Sequence, residues 1–136
     1  MSPAESIPHK TVLLIDDVEE TRLELAASIE QAFVNVRVVS VGSGPEAYHR
    51  LSQERVVGAL LDRILSLEED SASVFESLKE RGIPVILMSG IHEDSRAPPP
   101  GCLRKPVHDE RGRIRHDIMR QFMIALAREW ALTLRV

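Results

Sequence analysis

The sequence predicts an α/β domain, a doubly wound five-stranded parallel sheet with helices on both faces. Three observations predict it. Short apolar runs recur along the chain, and helical patterns lie between them. The clearest runs are apolar on both faces, as strands covered by helices on both sides are. The 136 residues suit a single domain, 1–136, able to bury a core without disulfides or a structural metal.

Residues 1–9 read as a flexible N-terminal tail, and residues 11–15 (TVLLI) as the first strand. Leu25, Ile29 and Phe33 then recur at i, i+4, i+8, a helical stripe. Asp17 with Glu20 three residues later reads as its capping box. Residues 34–41 alternate only partly and form the second strand. Ser43 and Pro45 open a short helix carrying Ala47, Tyr48 and Leu51. Residues 56–61 are the third strand. A helix from near Ser66 carries Val74, Phe75 and Leu78, and Gly82 and Pro84 end it. Residues 83–88 and 102–103 supply the last two strands, and 113–133 a long C-terminal helix.

Composition narrows the function. Hydrophobic residues make up 43%, which argues against disorder. A net charge of −4 gives no bulk attraction to nucleic acid or anionic lipid. Cys102 is the one cysteine, so no internal disulfide can form. No run reaches membrane-spanning length, and the first ten residues lack a signal-peptide core. A cytoplasmic protein with no direct nucleic-acid or membrane partner is expected. None of the five histidines pair at metal-ligand spacing.

The strand ends carry the chemistry. Asp16 and Asp17 end the first run, Asp62 the third, Ser89 the fourth and Lys105 the fifth. In a parallel sheet these positions converge on one edge, where ligands bind. Taken singly, Asp17 is a helix cap, Asp62 a loop carboxylate, Ser89 a turn residue and Lys105 a solvated charge. Their coincidence at successive strand ends favours a shared pocket. Carboxylates about 4 Å apart repel by about 4 kcal/mol per pair at an effective dielectric near 20. Protonation or a bound cation relieves that repulsion. Lys105 supplies one charge, and Mg²⁺ suits an all-oxygen site. A phosphoryl group in such a pocket would meet Mg²⁺ on one side, Lys105 on the other and the Ser89 hydroxyl. An aspartate can attack it and form an acyl phosphate.

Ile15-Asp16-Asp17, Leu61-Asp62, Met88-Ser89-Gly90 and Lys105-Pro106 resemble, in order and over nearly the whole chain, the receiver domain of bacterial two-component response regulators. The resemblance implies a flavodoxin-like sheet of order 2-1-3-4-5. It implies that Asp62 accepts a phosphoryl group from a histidine kinase or phosphotransfer protein, with Ser89 and Lys105 contacting the phosphate. It further implies that Asp16, Asp17, Asp62 and the Ile64 carbonyl hold Mg²⁺, Asp16 acting through water. Such a domain is not an enzyme beyond self-phosphorylation and slow autodephosphorylation, and it signals through a downstream protein partner. No DNA-binding segment follows before Val136, so a stand-alone receiver is expected.

Three departures bear on switching. Residues 90–101 include Pro98, Pro99 and Pro100, which leave the family's fourth helix shortened or missing. Cys102 stands three positions before Lys105, where the family places an aromatic residue. Arg63-Ile64-Leu65-Ser66 lacks the proline and glycine many members carry there. By the same resemblance, Ile64 and Ile91 flank the path of the attacking water, and neither can orient a water by hydrogen bonding. A long-lived phosphoryl group is therefore expected. Two alternatives stand beside this reading. One is a pseudo-receiver, a protein-interaction module not switched by phosphorylation. The other is an aspartyl phosphohydrolase, whose usual Asp-x-Asp spacing Asp16-Asp17-Val18 breaks. Along the final helix, Met119, Phe122, Met123, Leu126 and Trp130 form a stripe that core packing largely explains. The helix is longer than the sheet needs, and its apolar end brings in homodimerisation or partner docking as a second reading.

Overall fold

The computed structural model describes residues 9–62, 71–89, 102–104 and 116–135. Within them run β1 (Lys10–Ile15), α1 (Glu19–Ala32), β2 (Val36–Val41), α2 (Gly44–Gln53), β3 (Gly58–Asp62), α3 (Ser71–Glu80), β4 (Val85–Ser89), β5 (Cys102–Arg104) and α4 (His116–Trp130). All neighbouring strands pair in parallel, in the order β2-β1-β3-β4-β5. This is the expected doubly wound sheet. The expected shortening of a helix in residues 90–101 lies outside the described residues, as do 1–8 of the expected tail.

Alternation along each strand divides the core in two. Val12, Leu14, Leu60, Ile86 and Met88 face α1 and α4, against Leu25, Ile29, Phe33, Phe122 and Leu126. Leu13, Ile15, Ala59 and Leu61 face α2 and α3, against Ala47, Val74 and Leu78. Each central strand therefore reads as a continuous apolar run. All five residues of β3 are buried.

Helix ends follow local chemistry. Ser43 caps α2 by accepting the Glu46 N–H, and a proline stands in its first turn. The capping box expected of Asp17 and Glu20 does not form. Val18 is the N-cap of α1 and makes no side-chain cap bond. The Val18 N–H goes instead to Asp16 Oδ1 at 3.0 Å, and the acidic first turn of Glu19 and Glu20 complements the helix dipole. After Phe33, Asn35 adopts φ 54°, a left-handed turn. That turn delays β2 to Val36, two residues later than the apolar run suggests.

The apolar stripe of α4 is spent within the chain. Ile118, Phe122, Met123, Leu126 and Trp130 are buried. The Trp130 indole lies against the backbone of β3, where a Cβ on Gly58 would run into the ring. Beyond the helix, Ala131 turns back with φ 52° and buries Leu132. The tail then pairs with the α1–β2 junction. Val34 N–H donates to Thr133 O and Arg135 N–H to Ala32 O, both at 2.8 Å. Leu132 of the apolar end thus packs on the chain's own fold, while Leu134 and Ile124 are each 37% exposed.

Candidate functional site

Register brings the acidic residues together. Ile15 of β1 lies opposite Leu61 of β3, so Asp16 and Asp62, the next residues, are neighbours at the carboxyl edge of the sheet. Asp16 is still tied to the sheet, its N–H donating to Val41 O at 3.1 Å. Asp17 is exposed at the start of the β1–α1 loop. One carboxylate oxygen from each of Asp16, Asp17 and Asp62 lies within 4.8 Å of the others. Asp16 and Asp62 are the buried charged residues among those described, at 0% and 8% exposure.

Ser89 closes β4 beside them. Asp62 pairs with Met88, and Ser89 pairs with Arg104, the last residue of β5. The sheet therefore sets the backbone of Ser89, and the position just before Lys105, on the edge that carries the aspartates. The Ser89 side chain, Ile64 and Lys105 lie outside the described residues. So do Arg63, Gly90 and Ile91.

Three carboxylates, two of them buried, gather at one sheet edge. Their donors are all hard oxygens, with no histidine or cysteine in the cluster. That set fits a hard divalent cation such as Mg²⁺, which takes a few carboxylates and keeps several waters. A separate polar groove of about 510 Å³ lies at the opposite, amino end of the sheet, lined in part by Glu54, Arg55 and Arg81. It shares no residue with the cluster.

Arg22 of α1 is one residue that motif reasoning passes over. Its Nη1 donates to the Asp16 carbonyl at 3.0 Å. The signal was present in the spacing, since 22, 25 and 29 fall on one helical face and Leu25 and Ile29 are core residues. A charged residue on a buried stripe has a task that a solvated one does not.

No family model matches this sequence, and no curated protein sequence matches it. Solved structures do. A response regulator receiver protein from Sinorhizobium medicae is 22% identical, covering 90% of this chain and 95% of that one, with a TM-score of 0.66. The BeF₃-activated SdrG of Pseudomonas melonis is 24% identical over 88% of this chain and 97% of that one, TM-score 0.62. TrrA of Thermotoga maritima, a response regulator in complex with Mg²⁺ and BeF, is 18% identical over 59% of this chain and 69% of that one, TM-score 0.52. No helix among the described residues is long and apolar enough to cross a membrane. The strand order, the placement of the helices and these likenesses agree: the chain has the fold of response-regulator receiver domains.

Proposed function

We propose that this chain is a phosphoacceptor signalling domain. Asp62 takes a phosphoryl group from a phosphohistidine on a histidine kinase or phosphotransfer protein, and the change is read by a downstream protein. The observation that carries the proposal is the convergence of Asp16, Asp17 and Asp62 within 4.8 Å at the carboxyl edge of a receiver-like sheet.

In the reaction, a carboxylate oxygen of Asp62 attacks phosphorus while the bond from phosphorus to the donor imidazole nitrogen breaks. The bonding pair stays on the donor nitrogen, the donor leaves as neutral imidazole because its other ring nitrogen carries the proton, and Asp62 becomes an acyl phosphate. Asp16, Asp17, Asp62 and the Ile64 carbonyl would hold Mg²⁺, which when bound offsets the charge of the carboxylates and of the phosphoryl oxygens. The chain's own groups do the rest. Asp62 is held at a fixed strand end, so little orientational freedom is lost on approach to phosphorus. Asp16 is buried and pinned by the Val18 N–H, so its charge is preorganised rather than reoriented during transfer. The Ser89 hydroxyl donates to one phosphoryl oxygen, and the Lys105 ammonium compensates another.

Titration with Mg²⁺ and beryllofluoride, followed by amide resonances, tests the reading. Shifts around Asp62, Ser89 and the β1–α1 loop in the wild type, lost in Asp62→Asn, are expected. Shifts with Mg²⁺ but none on adding beryllofluoride would transfer the assignment to a pseudo-receiver interaction module.

A further inference from the structure

We propose that Arg22 is the positioning residue of the acidic pocket and that Gly42 is the seat its guanidinium needs. The proposal rests on the reading of that pocket as a divalent-cation site. The Asp16 carbonyl belongs to the peptide that joins Asp16 to Asp17. Arg22 Nη1 donates to that carbonyl at 3.0 Å, which fixes the plane of the peptide and with it the direction in which Asp17 leaves the strand. The following peptide is fixed as well, because the Val18 N–H donates to Asp16 Oδ1 at 3.0 Å. Asp17 is exposed, yet it hangs between two pinned peptides. Its carboxylate meets those of Asp16 and Asp62 for that reason.

The guanidinium lies against Gly42, the residue that follows β2. A Cβ added at Gly42 would come within 2.6 Å of Arg22 Nη1 and 4.0 Å of the Asp16 carbonyl oxygen. Gly42 itself is anchored, its N–H donating to Glu46 Oε2 at 3.1 Å, and the next residue, Ser43, caps α2. Arg22 thus bridges the β1–α1 loop to a braced β2–α2 loop. Arg22 Nε is buried without a hydrogen-bond partner among the described residues. A side chain free to choose its place would keep that donor in water, since an unmet buried donor costs stability. The arrangement gives up one donor's hydration to place another on Asp16.

Charge and geometry make opposite predictions here, which makes the idea testable. A fixed positive charge behind the carboxylates repels Mg²⁺, so charge alone predicts tighter binding when Arg22 is removed. Positioning predicts weaker binding, by roughly tenfold, the lower end of what partners behind metal ligands contribute. The experiment compares wild type, Arg22→Met, Gly42→Ala and the double variant. Met keeps the stem of Arg22 and drops its donors. Ala at 42 displaces a flexible side-chain end, so that variant keeps both its fold and its charge. Two quantities are read: Mg²⁺ affinity, and hydrogen exchange of the Val18 amide without metal.

Weaker Mg²⁺ binding and faster Val18 exchange in both single variants, with no further loss in the double, are expected. Unchanged Val18 exchange, or Mg²⁺ binding as tight as or tighter than wild type in Arg22→Met, would overturn the proposal. Failure of the wild type to bind Mg²⁺ would sink the metal reading by itself. Val18 exchange would then decide the role of Arg22 alone, faster exchange in both variants upholding it and unchanged exchange rejecting it.

Discussion

Replacing Asp62 by asparagine should stabilise the metal-free protein and abolish its stabilisation by Mg²⁺. Asp16 and Asp62 place carboxylate oxygens within 4.8 Å of each other. Two unit charges at that separation repel by about 3.5 kcal/mol at an effective dielectric of 20 and by about 0.9 kcal/mol in bulk water. Both residues are buried, which moves the pair toward the first figure. Asparagine keeps the shape and removes the charge, but it also weakens the hydrogen bonds that a carboxylate accepts and the attraction to Lys105 that the proposed pocket implies. A net gain of about 1–2 kcal/mol remains. With a urea slope of about 1–3 kcal/mol per molar, the midpoint in EDTA should rise by roughly 0.5–1 M. Mg²⁺ at a hundred times its dissociation constant should add about 2.7 kcal/mol to the wild type and nothing to the variant. A less stable Asp62→Asn protein in EDTA, or equal stabilisation of both proteins by Mg²⁺, would contradict this expectation.

Three further outcomes are expected. Gly58→Ala drives a methyl into the rigid Trp130 ring and should cost about 2 kcal/mol or more, with a shift in the emission of this single tryptophan; an unchanged urea midpoint would contradict the packing. Leu132→Ala removes the buried residue that folds the tail back onto α1 and should cost about 2–3 kcal/mol, and hydrogen exchange at Val34 should quicken with it. Ile64→Asn and Ile91→Asn, at positions outside the described residues, should shorten the life of phosphorylated Asp62 by giving the attacking water a hydrogen-bonding partner. An equal decay time in all three proteins would remove that explanation.

Much of the fold is legible in the sequence because parallel strands buried on both faces leave continuous apolar runs. Val12 and Leu14 serve one core and Leu13 and Ile15 the other, so no polar residue interrupts the run. The boundaries are less legible. The apolar stretch from Val34 hides a left-handed turn at Asn35, and the run from Val56 becomes strand only at Gly58. Asp17 and Glu20 have capping-box spacing, yet Asp16 takes the Val18 N–H and helix α1 begins without a side-chain cap. The end of α4 reads as exposed apolar surface because the turn that buries Leu132 is made by Ala131 in a left-handed conformation, which composition does not announce. At the site, the aspartates are legible from strand ends alone. Arg22 and Gly42 are not, because their relation depends on two loops far apart in sequence meeting around one guanidinium.

We propose Asp62 as the phosphoacceptor. Intact-protein mass after incubation with acetyl phosphate and Mg²⁺, for the wild type and Asp62→Asn, tests this assignment. A gain of one phosphoryl group in the wild type and none in the variant is expected. An equal gain in both proteins, or none in a wild type shown to bind Mg²⁺, would contradict it.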